Sequence, residues 1–338
     1  MAEYKGVLVC GELVEGKLAA ITTELLGCGR NLADELKEEV FCLLASDAVG
    51  EASKEAIASG ADRVYTVEAP LLKEYQADSY MQVVEKIVEE ASPRIILVGQ
   101  TFMGRDLAPR LAFRLGAGLA TDCLDLSIDP ETKLLLQTRP VYGGNAQATF
   151  TCELMPQIAT CRVKAMSPIE RDDSRKGDVV ATKVDIDQAK VRTELVETVK
   201  EEVAGIKLED ATVIVSGGRG MGGPEPYETA LKELADVFTK GGLPAAVGAS
   251  RPPCDVGWVP EAMHIGLTGK IVAPDVYIAI AISGASQHMA GCTGSKNIIA
   301  INKDPEATIF QLANYGVVGK YEDVVPAFTA KVKELLSG

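Results

Sequence analysis

The chain has 338 residues, 47% of them hydrophobic, and carries 34 Lys and Arg against 48 Asp and Glu, a formal net charge of -14. This is longer than a usual single domain and apolar enough for two cores, while so acidic a surface repels nucleic-acid phosphates and anionic lipid. Nucleic-acid binding and peripheral membrane binding are thereby excluded from the expected functions. No apolar run approaches the ~18 residues of a membrane span, and MAEYKGVLVCGE has no basic stretch leading into an apolar one. The expectation is a cytoplasmic protein without stable membrane insertion. Its eight cysteines, at 10, 28, 42, 123, 152, 161, 254 and 292, form no C-x-x-C, and only two histidines, His264 and His288, accompany them. Metal sites are not expected; the cysteines read as reduced and mostly buried thiols.

In chain order, Lys5–Glu12, Val40–Ser46, Arg63–Glu68 and Arg94–Gln100 are short β-rich runs separated by helical patterns. The clearest helix is Ser79–Ala91, where Tyr80, Val83, Val84, Ile87, Val88 and Ala91 recur at helical spacing. Alternating strands and helices predict an α/β domain with a parallel sheet covered on both faces. Arg105, Arg110 and Arg114 lie at helical spacing before Gly116 and Gly118, which reads as a helix face and its end rather than a nucleotide site. From Asp122 the runs CLDLSID, KLLLQTRPVYGG, AQATFTC and QIATCRV follow with only turns between them. They predict an antiparallel extension that makes the first sheet mixed.

Between Ser167 and Leu208 charge rises, as in SPIERDDSRKGD and ELVETVKEEV, which reads as a solvated linker with a strand or two. The boundary is set near Gly205, giving an N-terminal α/β domain over 1–205 and a C-terminal doubly wound parallel-sheet domain over 206–338. The second domain opens on ATVIVS, passes into GGRGMGG and enters a helical pattern over Pro226–Lys240. Gly218, Gly220 and Gly223 fit G-x-G-x-x-G, a spacing that presents backbone N–H groups to a pyrophosphate; an ordinary glycine-rich turn is the alternative. Three further strand-like runs end in polar groups: Ser250-Arg251, Ser283 through His288, and Asn302-Lys303. Ligands of open parallel sheets sit beyond the carboxyl ends of the strands, so these ends predict one crevice. An NAD site would place an acid where Ser250-Arg251 stands. Arg251 instead suits either the 2′-phosphate of NADP or the face of an aromatic cofactor.

The runs SGGRGMGG, VGASRPPCDVGW, IGLTGKIVAPDVYIA, ISGASQHMAG and AINKDPEA, together with GQTFMGRDLAPRLAFRLGAGLATDCLDL in the first half, resemble the alpha subunit of electron-transfer flavoprotein. The resemblance spans almost the whole chain. It implies FAD in the C-terminal domain and an N-terminal domain that packs against a beta subunit. It also implies electron relay between dehydrogenases, such as acyl-CoA dehydrogenases, and a downstream acceptor. Carried onto this sequence, the cofactor-binding positions are Arg219, Gly220, Ser250, Arg251, Ile265, Gly266, Leu267, Thr268, Ser283, Gly284, Ala285, Ser286, Gln287, His288, Asn302, Lys320 and Tyr321. Of these, Arg219 is implied at a phosphate, Arg251 over the flavin ring, Thr268 near its N5, His288 at its pyrimidine oxygen and Asn302 near the adenosine. Asn302 also reads as a turn cap before Asp304-Pro305, and His288 as a core histidine satisfied by a backbone carbonyl.

Two positions depart from the commoner pattern, which has Gln where this chain has Leu267 and Asp where it has Lys320. They bear on potential and affinity rather than on fold. The resemblance leaves open whether the form is a simple carrier or an electron-bifurcating complex oxidising NADH. The residues alone also leave open an NADP-dependent oxidoreductase subunit and a non-redox nucleotide-sensing module.

Overall fold

The computed structural model describes residues 4–144, 146–197 and 205–337. Its contacts divide the chain into two compact units, Met1–Thr198 and Val199–Gly338. Of the charged run Glu194–Val203, the part from residue 198 lies outside the described residues. Among the described residues, no helix is long and apolar enough to cross a membrane.

In order, the first unit runs β1 (Val7–Cys10), the short hairpin β2 (Leu13–Val14) and β3 (Lys17–Leu18), α1 (Ala20–Leu36), β4 (Val40–Ser46), α2 (Ala52–Ala58) and β5 (Arg63–Glu68). It continues through α3 (Ala77–Ala91), β6 (Ile95–Gly99), α4 (Phe102–Leu115), β7 (Leu119–Cys123), β8 (Asp125–Ile128), β9 (Leu135–Val141), β10 (Ala146–Phe150), β11 (Gln157–Cys161) and β12 (Asp178–Ala181). Seven strands pair in the order β12-β5-β4-β1-β6-β11-β7, every pair parallel. The central strands are apolar throughout because helices cover both faces. Their period of two sorts side chains to opposite sides: Val7, Val9, Ile95 and Leu97 enter one buried cluster with α1, while Leu8, Cys10, Ile96 and Val98 enter another with α3 and α4.

The antiparallel strands correct the sequence expectation. They do not extend the first sheet but form a sheet of their own, β10-β9-β8. Gln157–Cys161, expected among them, is instead a parallel strand between β6 and β7. The reason lies in burial. All five residues of β11 are buried, which demands cover on both faces, whereas β10 is exposed at four of its five positions. The charged segment after Ser167 carries one strand, as expected of it, and this strand, β12, joins the edge of the sheet against β5.

The second unit contains β13 (Val213–Gly217), α5 (Lys232–Lys240), β14 (Ala245–Ala249), α6 (Arg251–Asp255), β15 (Val276–Ile280), α7 (Ser286–Met289), β16 (Asn297–Asn302), β17 (Tyr315–Val318) and α8 (Tyr321–Ser337). Its five strands pair in parallel in the order β14-β13-β15-β16-β17. A π-helical turn, Tyr227–Leu231, leads into α5, and Tyr227, Leu231, Leu234 and Ala235 are buried from that one continuous face. From β13 the chain goes to β14 on one side and then returns to β15 on the other. The switch of direction lies between β13 and β15, where the carboxyl ends of the strands part and leave a crevice.

At the opposite, amino end of the first sheet, buried charge ties strand starts together. Asp62 accepts from the Val40 N–H at 2.8 Å, pairs with Arg30 at 2.6 Å and with Arg175 at 3.0 Å. Glu38 accepts from Gly6 N–H and from Arg94. Burial pushes the Asp62 carboxyl up, but the Val40 N–H and the two guanidinium groups outweigh it and hold the group below its ordinary value. A depressed carboxylate contributes stability that is present above its unfolded value, near 3.9, and is lost as pH falls through the folded one. Asp62→Ala should therefore destabilise the chain by about 2 kcal/mol at pH 7, since it strands the largely buried Arg30. Urea unfolding should show that difference at pH 7 and a smaller one as pH falls below about 3.9.

Candidate functional site

Both sheets have a switch point, and the two differ in what stands there. In the first unit it falls between β1 and β6, and the chain fills it with its own groups. Glu12, directly beyond β1, accepts from the Thr101 hydroxyl at 2.7 Å, and Thr101 in turn caps α4 through Gly104 N–H at 3.1 Å. Thr22 closes on the backbone of Glu12 from α1. Burial raises the Glu12 carboxyl, with the Thr101 bond opposing. The arginines of α4 serve its surface, Arg110 pairing with Asp106 and Arg114 with Glu85, and Gly116 ends the helix in the left-handed conformation, φ 62°.

In the second unit close-packed backbone turns, not buried side chains, stand at the switch point. Beyond β13, Gly218 lies so close to β15 that a Cβ on it would stand 2.2 Å from the Ala281 carbonyl oxygen. Ala281 itself turns the chain out of β15 with φ 54°, a conformation an L-residue adopts only when its surroundings enforce it. The turn Arg219–Met221 follows at once, with Met221 N–H bonded to Gly218 carbonyl and Gly222 N–H to Arg219 carbonyl. The N–H groups of Arg219 and Gly220 precede those bonds and so have no partner within the turn. Arg219 and Gly220 are exposed.

The remaining candidates collect at the same edge. Ser250, buried, donates its N–H to Gly217 carbonyl, so the end of β14 lies beside the glycine turn. Arg251 opens α6 and is exposed, its Nε shared between the two carboxylate oxygens of Asp255 at 3.3 Å. Ile265 N–H bonds to Ala249 carbonyl, which attaches the loop 265–268 to β14. Leu267 N–H bonds to Gln287 carbonyl at 2.7 Å, seating that loop on α7, and Leu267 and Thr268 are exposed on it. Gly266 is buried there, with Gly291 packed so near that a Cβ on the latter would meet the Gly266 N at 2.4 Å. Beyond β15, Ser283, Ala285 and Gln287 are exposed and Ser286 half-buried. Gly284 needs its left-handed φ of 87° and its lack of Cβ, which would stand 2.3 Å from Ile309 N.

Asn302 ends β16 in the role of a turn cap, donating to Ile282 carbonyl at 2.9 Å and accepting from Asp304 N–H at 3.0 Å. Lys320 is exposed, and Tyr321 donates to Met221 carbonyl at 3.1 Å, tying the start of α8 to the glycine turn. His288 departs from the part that the resemblance implies. Its ring is 6% exposed and both nitrogens are engaged in the interior, Nδ1 with Ile265 carbonyl at 2.9 Å and Nε2 with Tyr277 hydroxyl at 3.0 Å. Burial pushes the imidazole down to about 4, the Ile265 carbonyl opposing and His264 adding to the shift. His288 is thus a neutral core histidine that carries the loop 265–268. Asp255 and Tyr277 were not anticipated; the Arg–Asp spacing of four residues was a readable signal for the first.

These groups suit a dinucleotide with an aromatic head. Guanidinium and turn N–H donors are groups of the kind that hold a pyrophosphate, and the hydroxyl and amide groups of Thr268, Ser286 and Gln287 are of the kind that pair with ring heteroatoms. The close approach at Gly218 gives a test that needs no ligand. Gly218→Ala must displace a backbone carbonyl, so it should destabilise the second unit by about 1–3 kcal/mol in thermal unfolding.

Residues 7–187 match the family model of the electron transfer flavoprotein domain, and residues 207–293 match that of the electron transfer flavoprotein FAD-binding domain. An electron transfer flavoprotein subunit alpha of Thermoanaerobacterium thermosaccharolyticum is 45% identical over 336 residues, covering 99% of this chain and 100% of its own. That of Bacillus subtilis is 42% identical, covering 98% of each. A lactate dehydrogenase (NAD(+),ferredoxin) subunit LctC of Acetobacterium woodii is 37% identical over 98% of this chain and 77% of its own. With both units matched and relatives aligned from end to end, the chain belongs to the electron transfer flavoprotein alpha-subunit family, binding FAD and partnering a beta subunit.

Proposed function

We propose that this subunit holds FAD at the β13–β15 switch point and relays electrons between dehydrogenases and a downstream acceptor. The observation that carries the site is convergence: the glycine turn, Ser250 beside Arg251, the loop 265–268 and the start of α7 are joined by backbone hydrogen bonds at the carboxyl end of one sheet. In this reading the Arg219 and Gly220 N–H groups and the Arg219 guanidinium hold the pyrophosphate. Arg251, Thr268, Ser286 and Gln287 face the flavin ring, and Asn302, Lys320 and Tyr321 border the adenosine. Ser250, Ile265, Gly266, Leu267, Ser283, Gly284 and Ala285 shape the walls between them, and His288 anchors the loop. The dehydrogenase role is supported by relatives named for such enzymes, the LctC subunit and an acryloyl-CoA reductase electron transfer subunit beta of Anaerotignum propionicum, 38% identical over 98% of this chain.

When bound, FAD supplies the electron chemistry and gains negative charge as it is reduced. The chain sets how favourable that is. Arg251 offers a planar guanidinium face, while Asp255 orients it and partly offsets its charge. Co-expressed with its beta subunit, the protein should purify yellow and bleach with dithionite. A colourless protein that binds NADPH would overturn the flavin reading, and NADH-dependent bleaching without a dehydrogenase would mark the bifurcating form.

Two variants test the assignments inside the site. Gly220→Val fills the approach to the turn, where a Cβ already stands 3.0 Å from the Ala281 side chain, and should lose FAD on dialysis while the first unit stays folded. Arg251→Ala removes the cation nearest the ring in this reading. It should lower the one-electron midpoint potential by about 60 mV, a tenfold change in the equilibrium, with Arg251→Lys recovering part of it. An unchanged potential in a spectroelectrochemical titration would place Arg251 away from the ring.

A further inference from the structure

One residue beneath the crevice is out of keeping with its strand. β15 is buried at four of its five positions and pairs on both sides, yet its second residue is Tyr277, 0% exposed, whose hydroxyl needs a partner in the core. It finds Nε2 of His288 at 3.0 Å. The other nitrogen of that ring, Nδ1, faces Ile265 carbonyl at 2.9 Å, and Ile265 N–H holds Ala249 carbonyl at the end of β14. A single polar thread therefore runs from β15 through α7 and the loop 265–268 to β14, the two strands that flank β13.

The proton positions along the thread follow from the partners. A carbonyl only accepts, so Nδ1 must carry the hydrogen, and the remaining lone pair on Nε2 accepts from Tyr277 O–H. Each link is then satisfied with a neutral ring, and burial disfavours its charged form. The loop that hangs on this ring has little freedom of its own. Leu267 is held to Gln287, Gly266 N–H bonds to Lys270 carbonyl at 3.2 Å, and the ring of His264 fills the space beside Gly269, bonded to Glu261 at 2.8 Å. Shifting the His288 ring would carry Ile265, and with it Leu267 and Thr268, away from the end of β14 that bears Arg251.

We propose that Tyr277 is a positioning residue for the cofactor site: by donating to Nε2 it fixes the orientation of His288 and, through the Ile265 carbonyl, sets the separation between Thr268 and Arg251. Tyr277 does not touch the cofactor. This inference rests on the FAD reading above, and the test separates the two. Wild type, Tyr277→Phe, His288→Ala and the double variant are prepared as complexes with the beta subunit. In ¹⁵N-histidine-labelled wild type, the Nδ1–H proton of His288 should give a slowly exchanging signal, which Tyr277→Phe should broaden or exchange at least tenfold faster. FAD dissociation should accelerate about tenfold in Tyr277→Phe, the effect of one buried hydrogen bond. In the His288→Ala background Tyr277→Phe should add nothing, because the thread is already cut.

Additive losses of FAD across the two substitutions, or an unchanged Nδ1–H signal in Tyr277→Phe, would overturn the proposal. Wild type that fails to retain FAD would overturn the functional reading instead, while the ring signal would still report on Tyr277. A variant that only loosened the core would lower the melting temperature without changing either the signal or the coupling. Should Tyr277→Phe not fold, Tyr277→His keeps an N–H donor in the same strand position, and its retention of the Nδ1–H signal together with FAD supports the thread where loss of the signal with FAD still tightly held refutes it.

Discussion

The contact that the second unit depends on is the passage of Gly218 under the Ala281 carbonyl, where a Cβ would stand 2.2 Å from the oxygen. Parallel strands diverge at a switch point because their helices leave to opposite faces, and the gap is of use only if backbone reaches into it. Here two irregularities bring that about together. Residue 218 has no side chain, and Ala281 accepts a left-handed φ that aims its carbonyl across the gap. The cost of that φ, roughly 1–2 kcal/mol, is offset by the sheet on either side, since Gly218 N–H bonds to Ile280 carbonyl and Ala281 N–H to Ile301 carbonyl.

The first unit shows what the same geometry does without such a turn. Its β1–β6 gap receives a buried carboxyl, a threonine that also caps a helix, and a short hairpin. A pyrophosphate would meet the Glu12 carboxyl there rather than N–H donors. Two sheets of related construction thus have opposite uses, and the difference lies in a few residues directly after the first strand: Gly11-Glu12 in one, Gly218-Arg219-Gly220 in the other. Fold alone does not confer a nucleotide site.

Much of this was legible in the sequence, because the signals were local. Four of the five strands of the second sheet are short apolar runs leading to glycine or polar residues, while β17, exposed at all four positions, gave no such signal; the helix after the glycine turn carries its apolar stripe through a π turn unchanged. The antiparallel strands were misplaced because order along the chain says nothing about which sheet a strand joins; β11 is set apart only by having no polar face, in a run of residues where Thr160 and Gln157 disguise it. Both are buried and bonded, Thr160 to Gln100 and Gln157 to Cys152 carbonyl. His288 was open to two readings in the sequence, a flavin contact and a core histidine. A histidine at a strand-to-helix turn reads as a ligand contact, and nothing nearby in sequence announces that Tyr277, eleven residues earlier, will take its second nitrogen.

Charge at the crevice runs against the charge of the whole. The chain carries -14, yet Arg219, Arg251 and Lys320 stand exposed at the carboxyl ends of β13, β14 and β17. An acidic protein gains nothing from long-range attraction toward an anionic dinucleotide, because at physiological salt the field of distant carboxylates and of these cations alike decays within about 8 Å. Binding must then rest on groups in contact, and in the site proposed above these are oriented backbone N–H groups and planar guanidinium groups rather than a lysine-rich surface. Such groups act only where they are aimed. The hydrogen bonds from Ile265, Leu267, His288 and Tyr321 into neighbouring backbone hold the rim elements in fixed relation. Most of the polar architecture around the crevice therefore orients the few residues that face it.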